Sequence, residues 1–131
     1  MSEGAVVPPG GLRVVAGTWA VAGAVHLWVA LDAPRAGAAG AVVSAVLAVA
    51  AAAGVVALLV TKRPGALLAA VVTGAVGVAA FLVPRVAALP GFGDVLPTWD
   101  NPWPFVAFLL DALVVRVAVF TLRRASRTAA G

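Results

Sequence analysis

The sequence predicts an all-α integral membrane protein, a four-transmembrane-helix bundle with its N and C termini in the cytoplasm. Hydrophobic residues make up 63% of the 131 residues and charged residues 11%, and the mean hydropathy is +1.11. This balance lies far from that of a soluble domain. The apolar residues form four long stretches, each close to the ~20 residues that a helix needs to cross a bilayer core. Little chain remains outside them, so we predict one membrane domain.

Proline, glycine and charged clusters separate the four stretches. The predicted elements are spans at about 12–31, 36–60, 66–83 and 104–122, an external loop at 85–103 and a short basic cytoplasmic tail at 123–131. The first stretch is longer than a signal-peptide core and is interpreted as a retained span.

The residues at the span ends predict how the spans connect. Pro34 and Pro64 break the backbone hydrogen-bond ladder, so the first two connections should be tight turns. Before the fourth span, Asn101 fits an N-cap and Pro102 fits the first helical position. Prolines and glycines in the 85–103 segment oppose a continuous helix, and we interpret it as an interfacial anchor.

Basic residues give the predicted orientation. If all four stretches span, one side of the membrane carries Arg13, Lys62, Arg63, Arg123, Arg124 and Arg127. The other side carries Arg35 and Arg85, diluted by Asp32, Asp94 and Asp100. The positive-inside rule then places both termini in the cytoplasm. The expected location is the bacterial plasma (inner) membrane, crossed in several passes.

Three ionisable residues fall inside the apolar stretches: His26 in the first, and Asp111 and Arg116 in the fourth. A central Asp or Arg facing lipid costs about 2.5–3.5 kcal/mol on insertion scales, so each should face the bundle, water or a partner. Asp111 and Arg116 are about 140° apart around a helix, which opposes a direct salt bridge between them. Arg116 can extend its head toward the cytoplasmic end.

His26 and Asp111 lie at similar depths below the same predicted surface. We therefore hypothesise that they pair across the bundle, with Thr18 or Thr73 as a further hydrogen-bond partner. The pair either fixes helix register or forms a proton-binding or ligand-binding site.

Four polar and aromatic residues near the predicted external loop are further candidates: Asp94, Trp99, Asp100 and Trp103. The tryptophans suit a membrane boundary, because an indole buries its ring while its N–H stays hydrated. No base, nucleophile or metal-ligand constellation accompanies the aspartates. The chain has no cysteine and one histidine, so we predict no catalytic residue, no metal and no cofactor.

Short motifs resemble a known group of proteins. The segment 22–27 ending in His26-Leu27, the pair Pro84-Arg85, the segment 89–94 and an acidic residue in the last span are similar to uncharacterised small four-span membrane proteins of actinobacterial type. The resemblance implies a four-span fold and no assigned activity. It makes His26, Asp94 and Asp111 residues to be tested together.

These observations favour a non-enzymatic membrane protein, either a self-associating bundle or an accessory subunit of a membrane complex. Expected partners are the lipid bilayer and further subunits, identical or not. Nucleic acid is not expected despite the net charge of +4, because the basic residues lie at the ends of apolar stretches. The alternative is a small oligomeric proton-coupled transporter or channel that uses Asp111 and His26. A redox or metal-binding subunit and a lipid-modifying enzyme have less support.

Overall fold

The protein is an all-α bundle with four helices that are long and apolar enough to cross a membrane. The computed structural model describes residues 6–92 and 101–130. The helices are α1 (Pro9–Leu31), α2 (Ala33–Ala36), α3 (Ala38–Thr61), α4 (Pro64–Ala87) and α5 (Trp103–Ala130). The single turn α2 lies between the first two spans. The prediction of an all-α bundle with four membrane-spanning helices is confirmed, and the cytoplasmic position of the termini stays a prediction.

The four long helices form a ring in chain order. Helix α1 packs on α3 and α5, and α4 packs on the same two helices, so α1 and α4 face each other across the diagonal. At each end of the bundle, a backbone hydrogen bond joins segments that are distant in the sequence. The start of α1 and the connection between α3 and α4 lie at one end, which we call the terminal end. There the N–H of Val7 donates to the carbonyl of Lys62 at 2.8 Å. The N–H of Gly40 donates to the carbonyl of Gly91 at 3.0 Å, at the loop end.

The first two connections are short, as predicted, and positive φ angles help to form them. In the first, α2 precedes Gly37, whose φ of 78° suits a residue without a Cβ. In the second, Lys62 adopts the left-handed conformation, with a φ of 54°, and caps α3. Pro64 then occupies the first position of α4, where its missing N–H has no intrahelical partner to lose.

The end of the third span differs from the prediction. The sequence placed the end at Val83, but α4 continues through Pro84 to Ala87, so Arg85 is helical and not part of a loop. A proline inside a helix removes its own N–H from the ladder and crowds the preceding turn, but it leaves its carbonyl available, and the carbonyl of Pro84 accepts the N–H of Ala88. Ala88 then leaves the helix with a φ of 51°.

The fourth span is also longer than predicted. The carbonyl of Pro102 accepts the N–H of Val106 at 3.0 Å, so Pro102 is the N-cap residue in place of Asn101. At the other end, residues 123–130 were predicted as a tail but continue α5. The reason is local, because arginine and alanine favour helices and neither glycine nor proline interrupts the segment before Gly131.

The terminal half of the bundle is filled by large apolar side chains. Val15, Leu58, Leu67 and Val114 have no exposed surface, and Trp19 is 2% exposed. Trp19 reaches this position because Gly54 on α3 has no side chain, and a Cβ there would overlap the indole ring. This half of the bundle is therefore a packed core.

Candidate functional site

A histidine and an aspartate meet inside the bundle. Nε2 of His26 on α1 lies 3.0 Å from Oδ1 and 2.8 Å from Oδ2 of Asp111 on α5. The side chains are 8% and 5% exposed, respectively. Both residues lie on the buried faces of their helices, His26 beside Ala22 and Asp111 beside Ala107. The contact predicted from matching depths is present in the structure.

Helix α4 makes room for the carboxylate. A Cβ at Gly77 would overlap the carboxylate of Asp111, and a Cβ at Gly74 would lie 2.8 Å from its backbone oxygen. Two glycines three positions apart lie on one face of a helix, and such small faces let helices approach closely in lipid. Three helices therefore build the pair: α1 supplies the imidazole, α5 the carboxylate and α4 the space.

The predicted threonine partners do not contact the pair. The hydroxyl of Thr18 donates to the carbonyl of Val14 at 2.8 Å, and that of Thr73 to the carbonyl of Ala69 at 2.7 Å. This part of the hypothesis was wrong because a hydroxyl in an apolar helix can bond the carbonyl one turn earlier. Nδ1 of His26 is buried and has no hydrogen-bond partner in the described part of the chain.

A cavity of about 70 Å³ connects the pair to the loop end of the bundle. On this measure a water molecule needs about 10–15 Å³, so the volume accommodates several waters or one small polar group. The polar and charged side chains that line it are His26, Arg35, Ser44, Arg85, Asn101 and Asp111. We call this space the loop-end cavity.

Arg85 forms one wall of the loop-end cavity. Its Nη1 donates to the carbonyl of Phe81 at 2.7 Å, and its Cζ lies 3.7 Å from the centroid of the Phe81 ring. The ring stacks on Phe108 of α5, with the centroids 4.7 Å apart. Nε of Arg85 is buried without a partner among the described residues. The guanidinium is thus held beside the cavity with a donor still to be satisfied.

A second arginine also lines the cavity. Nε of Arg35 lies 3.7 Å from Oδ2 of Asp32, one turn earlier in the chain. The cavity is therefore lined by the carboxylate of Asp111 at its inner end and by the guanidinium groups of Arg35 and Arg85 nearer the loop end. Its chemistry suits a ligand that both donates and accepts hydrogen bonds.

Sequence reasoning missed Arg85 and Ser44 as parts of this site. The available signal was the pair Pro84-Arg85 itself, a charge at the end of a long uncharged stretch. Because the predicted span ended at Val83, four residues before the end of α4, Arg85 was assigned to a loop and not to the bundle. Ser44 gave no signal, since a serine in a long apolar stretch is common in membrane helices.

The other predicted candidates lie elsewhere. Arg116 is exposed at the terminal half and is not paired with Asp111, as its position on α5 predicted. Trp103 packs edge-on against Trp28, with ring centroids 6.1 Å apart, at the loop end. Asp94, Trp99 and Asp100 lie outside the described residues. Among residues 6–92 and 101–130, no three acidic or histidine side chains converge as a metal site.

The fold and the buried pair define a four-span membrane protein with ionisable groups inside its bundle. Comparison with protein-family models, curated proteins and solved structures gives no match to this chain. The function of the protein is therefore inferred from the chemistry of the site itself.

Proposed function

We propose that the protein is a non-enzymatic component of the bacterial plasma membrane that binds a small polar ligand in the loop-end cavity. The observation that carries this proposal is the position of the His26 and Asp111 pair, buried between helices and lining a cavity that also contacts Arg85. Convergent polar groups in an otherwise apolar recess are the usual form of a small-molecule site.

The hydrogen-bonding capacity of the pair supports binding over a purely structural role. An ionised carboxylate has about four acceptor positions, of which the contact with His26 uses only part. Nδ1 of His26 and Nε of Arg85 are both buried without partners in the described structure. Each buried unsatisfied group costs about 1–3 kcal/mol. A ligand that satisfied these atoms would recover that cost.

The packed terminal half supports binding over passage through a single chain. Beyond the pair, Leu58, Leu67 and Val114 fill the bundle and have no exposed surface. A cavity that reaches only one end suits a receptor-like or accessory role. In this role the bundle would act as a subunit of a larger complex or as an assembly of identical copies.

The second candidate function is a proton-coupled oligomeric transporter or channel. The observation that favours it is the contact between two ionisable side chains inside membrane-spanning helices, which is typical of proton relays. In this case the pathway would run between protomers, or the terminal half would open. A pH-driven flux in proteoliposomes that is lost in Asp111→Asn would support this function over simple binding.

The single histidine allows a direct test of ligand binding. With isotope-labelled histidine, the purified protein gives one set of imidazole NMR signals, those of His26. We would titrate acetate, inorganic phosphate, glycine and ethylammonium separately. At least one solute should shift the His26 signals saturably, and Arg85→Gln should weaken that binding at least fivefold.

Arg127→Gln is the matched control, because Arg127 is exposed on α5 and does not line the cavity. It should bind like the wild type. If no solute produces a saturable shift, or if both variants lose binding equally, the proposed ligand site is wrong. Native mass spectrometry of the same sample would report identical copies or a partner subunit.

A further inference from the structure

A second recess lies at the terminal end of the bundle, between α1 and α5. Its volume is about 660 Å³, within the range of about 300–1,000 Å³ typical of ligand sites. Its main lining residues are Gly10, Gly11 and Val14 on α1 and Arg116, Phe120 and Arg124 on α5. We call it the terminal groove, and it shares no lining residue with the loop-end cavity.

Arg116, Phe120 and Arg124 lie along one side of α5. Successive members are four residues apart, so they lie on one side of the helix, and the two arginines are separated by about 12 Å along the axis. Cζ of Arg124 lies 5.8 Å from the centroid of the Phe120 ring. The apolar side chain of Phe120 therefore lies between the positions of Arg116 and Arg124 on this side of α5.

Neither arginine has a carboxylate partner within the described ranges, where the ion pairs are His26 with Asp111 and Arg35 with Asp32. Both side chains are exposed on the outside of the bundle. The surface of the terminal groove is therefore positively charged and lacks a neutralising group from the protein in that part of the chain.

The depth of Arg124 matches that of lipid phosphates. Arg124 follows Trp103 by about 31 Å along the helix axis, close to the ~30 Å thickness of the hydrocarbon core. With Trp103 at one membrane boundary, Arg124 lies at the other. Arg116 lies about 12 Å farther in, a depth from which a long arginine side chain can bring its guanidinium part of the way toward the phosphate level.

Glycine residues keep the groove open on the α1 side. A Cβ at Gly10 would meet no atom within 4 Å, so the space beside it is empty of protein. A Cβ at Gly11 would collide with Thr121, so α1 and α5 touch at the base of the groove. The walls on either side are apolar, formed by Val14 and Phe120.

We propose that the terminal groove binds one anionic phospholipid. Arg116 and Arg124 contact the phosphate and the charged headgroup, and the first part of an acyl chain lies against Val14 and Phe120. Charge complementarity decides the occupant, because two guanidinium groups with no carboxylate partner among residues 6–92 and 101–130 face a medium whose anions are lipid headgroups. Guanidinium groups also match the geometry of phosphate oxygens. This site does not depend on the proposed function of the loop-end cavity.

Native mass spectrometry with defined lipids tests the proposal. We would compare phosphatidylglycerol with phosphatidylcholine carrying the same acyl chains. One phosphatidylglycerol should be retained per chain, at least fivefold more strongly than phosphatidylcholine. The double variant Arg116→Gln with Arg124→Gln should lose this preference.

The double variant Arg123→Gln with Arg127→Gln is the control, because it removes the same charge from α5 outside the groove. It should keep the preference. Gly10→Leu is a second test that leaves both arginines in place, fills the groove and should weaken retention at least threefold. Equal loss in the two double variants, no preference for phosphatidylglycerol, or equal retention of glycerol phosphate without acyl chains would overturn the proposal.

Discussion

We expect a single added methyl group at Gly77 to lower the stability of the bundle strongly. In Gly77→Ala, the new methyl group would overlap the carboxylate of Asp111, which is itself held by His26. The carboxylate can escape only by rotating away from the imidazole or by pushing α4 away from α5. The backbone leaves little freedom for the second route, because Gly74 is also packed on α5.

Two destabilising effects and one stabilising effect determine the expected change in the free energy of unfolding. Overpacking in a closely packed interior costs about 1–3 kcal/mol. Displacing the carboxylate weakens a hydrogen bond to a charged group, which is worth about 1.5–3 kcal/mol. Replacing glycine by alanine in a helix returns up to about 1 kcal/mol. We expect Gly77→Ala to lower the free energy of unfolding by about 2–4 kcal/mol.

The assay is equilibrium unfolding in mixed detergent micelles, followed by circular dichroism. Gly17→Ala is the matched control, because Gly17 lies on α1 and a Cβ there meets nothing within 4 Å. It should be neutral or stabilising by up to about 1 kcal/mol. In Gly77→Ala with Asp111→Ala, the methyl group has room, so the loss should be smaller than the sum of the single losses by about 1.5 kcal/mol or more.

If Gly77→Ala and Gly17→Ala changed the free energy of unfolding by the same amount, the contact between α4 and the carboxylate would not exist as described. If the loss of stability in the double variant equalled the sum of the two single losses, the effect of Gly77→Ala would not act through Asp111.

The remaining predictions concern other contacts and the orientation. Gly54→Ala should destabilise the bundle by about 1–3 kcal/mol and shift the tryptophan emission, because its methyl group overlaps Trp19; unchanged emission and stability would contradict this packing. Gly91→Ala should cost about 1–2 kcal/mol in the same unfolding assay, since its φ of 84° disfavours a Cβ and Ala39 is 3.0 Å from the added atom; a neutral result would refute the strained turn. The chain has no cysteine, so Lys62→Cys can be labelled selectively in intact cells and in inverted vesicles. It should react with an impermeant maleimide only in inverted vesicles, and labelling in intact cells would reverse the predicted orientation.

Much of the fold follows from the sequence because lipid leaves the chain few options. A backbone in a bilayer core must satisfy its own hydrogen bonds, so a stretch of about 20 apolar residues specifies a helix by length and composition alone. The helix ends were harder to predict. Pro84 suggested a stop but is accommodated within α4, while the segment after Leu122 continues α5 because nothing in it breaks a helix.

The contact between His26 and Asp111 could also be predicted, because polar residues are so few in these spans that depth alone suggests the partner. The prediction of threonine partners failed, since depth does not reveal that a hydroxyl bonds within its own helix. Arg85 was missed for a related reason: its membership of the site depends on one more helical turn and on its packing against Phe81.

The sequence by itself determined the four spans, their order and the ionisable residues that had to be sheltered from lipid. Only the tertiary structure decided how each helix is rotated, and therefore that Gly77 faces Asp111 and that Arg116 and Arg124 line a groove beside Gly10. The physical reason is that apolar residues lie on all sides of these helices within the spans and polar residues are few, so no amphipathic stripe marks the buried face. Their rotation is set by the close packing of small residues, which involves several helices at once.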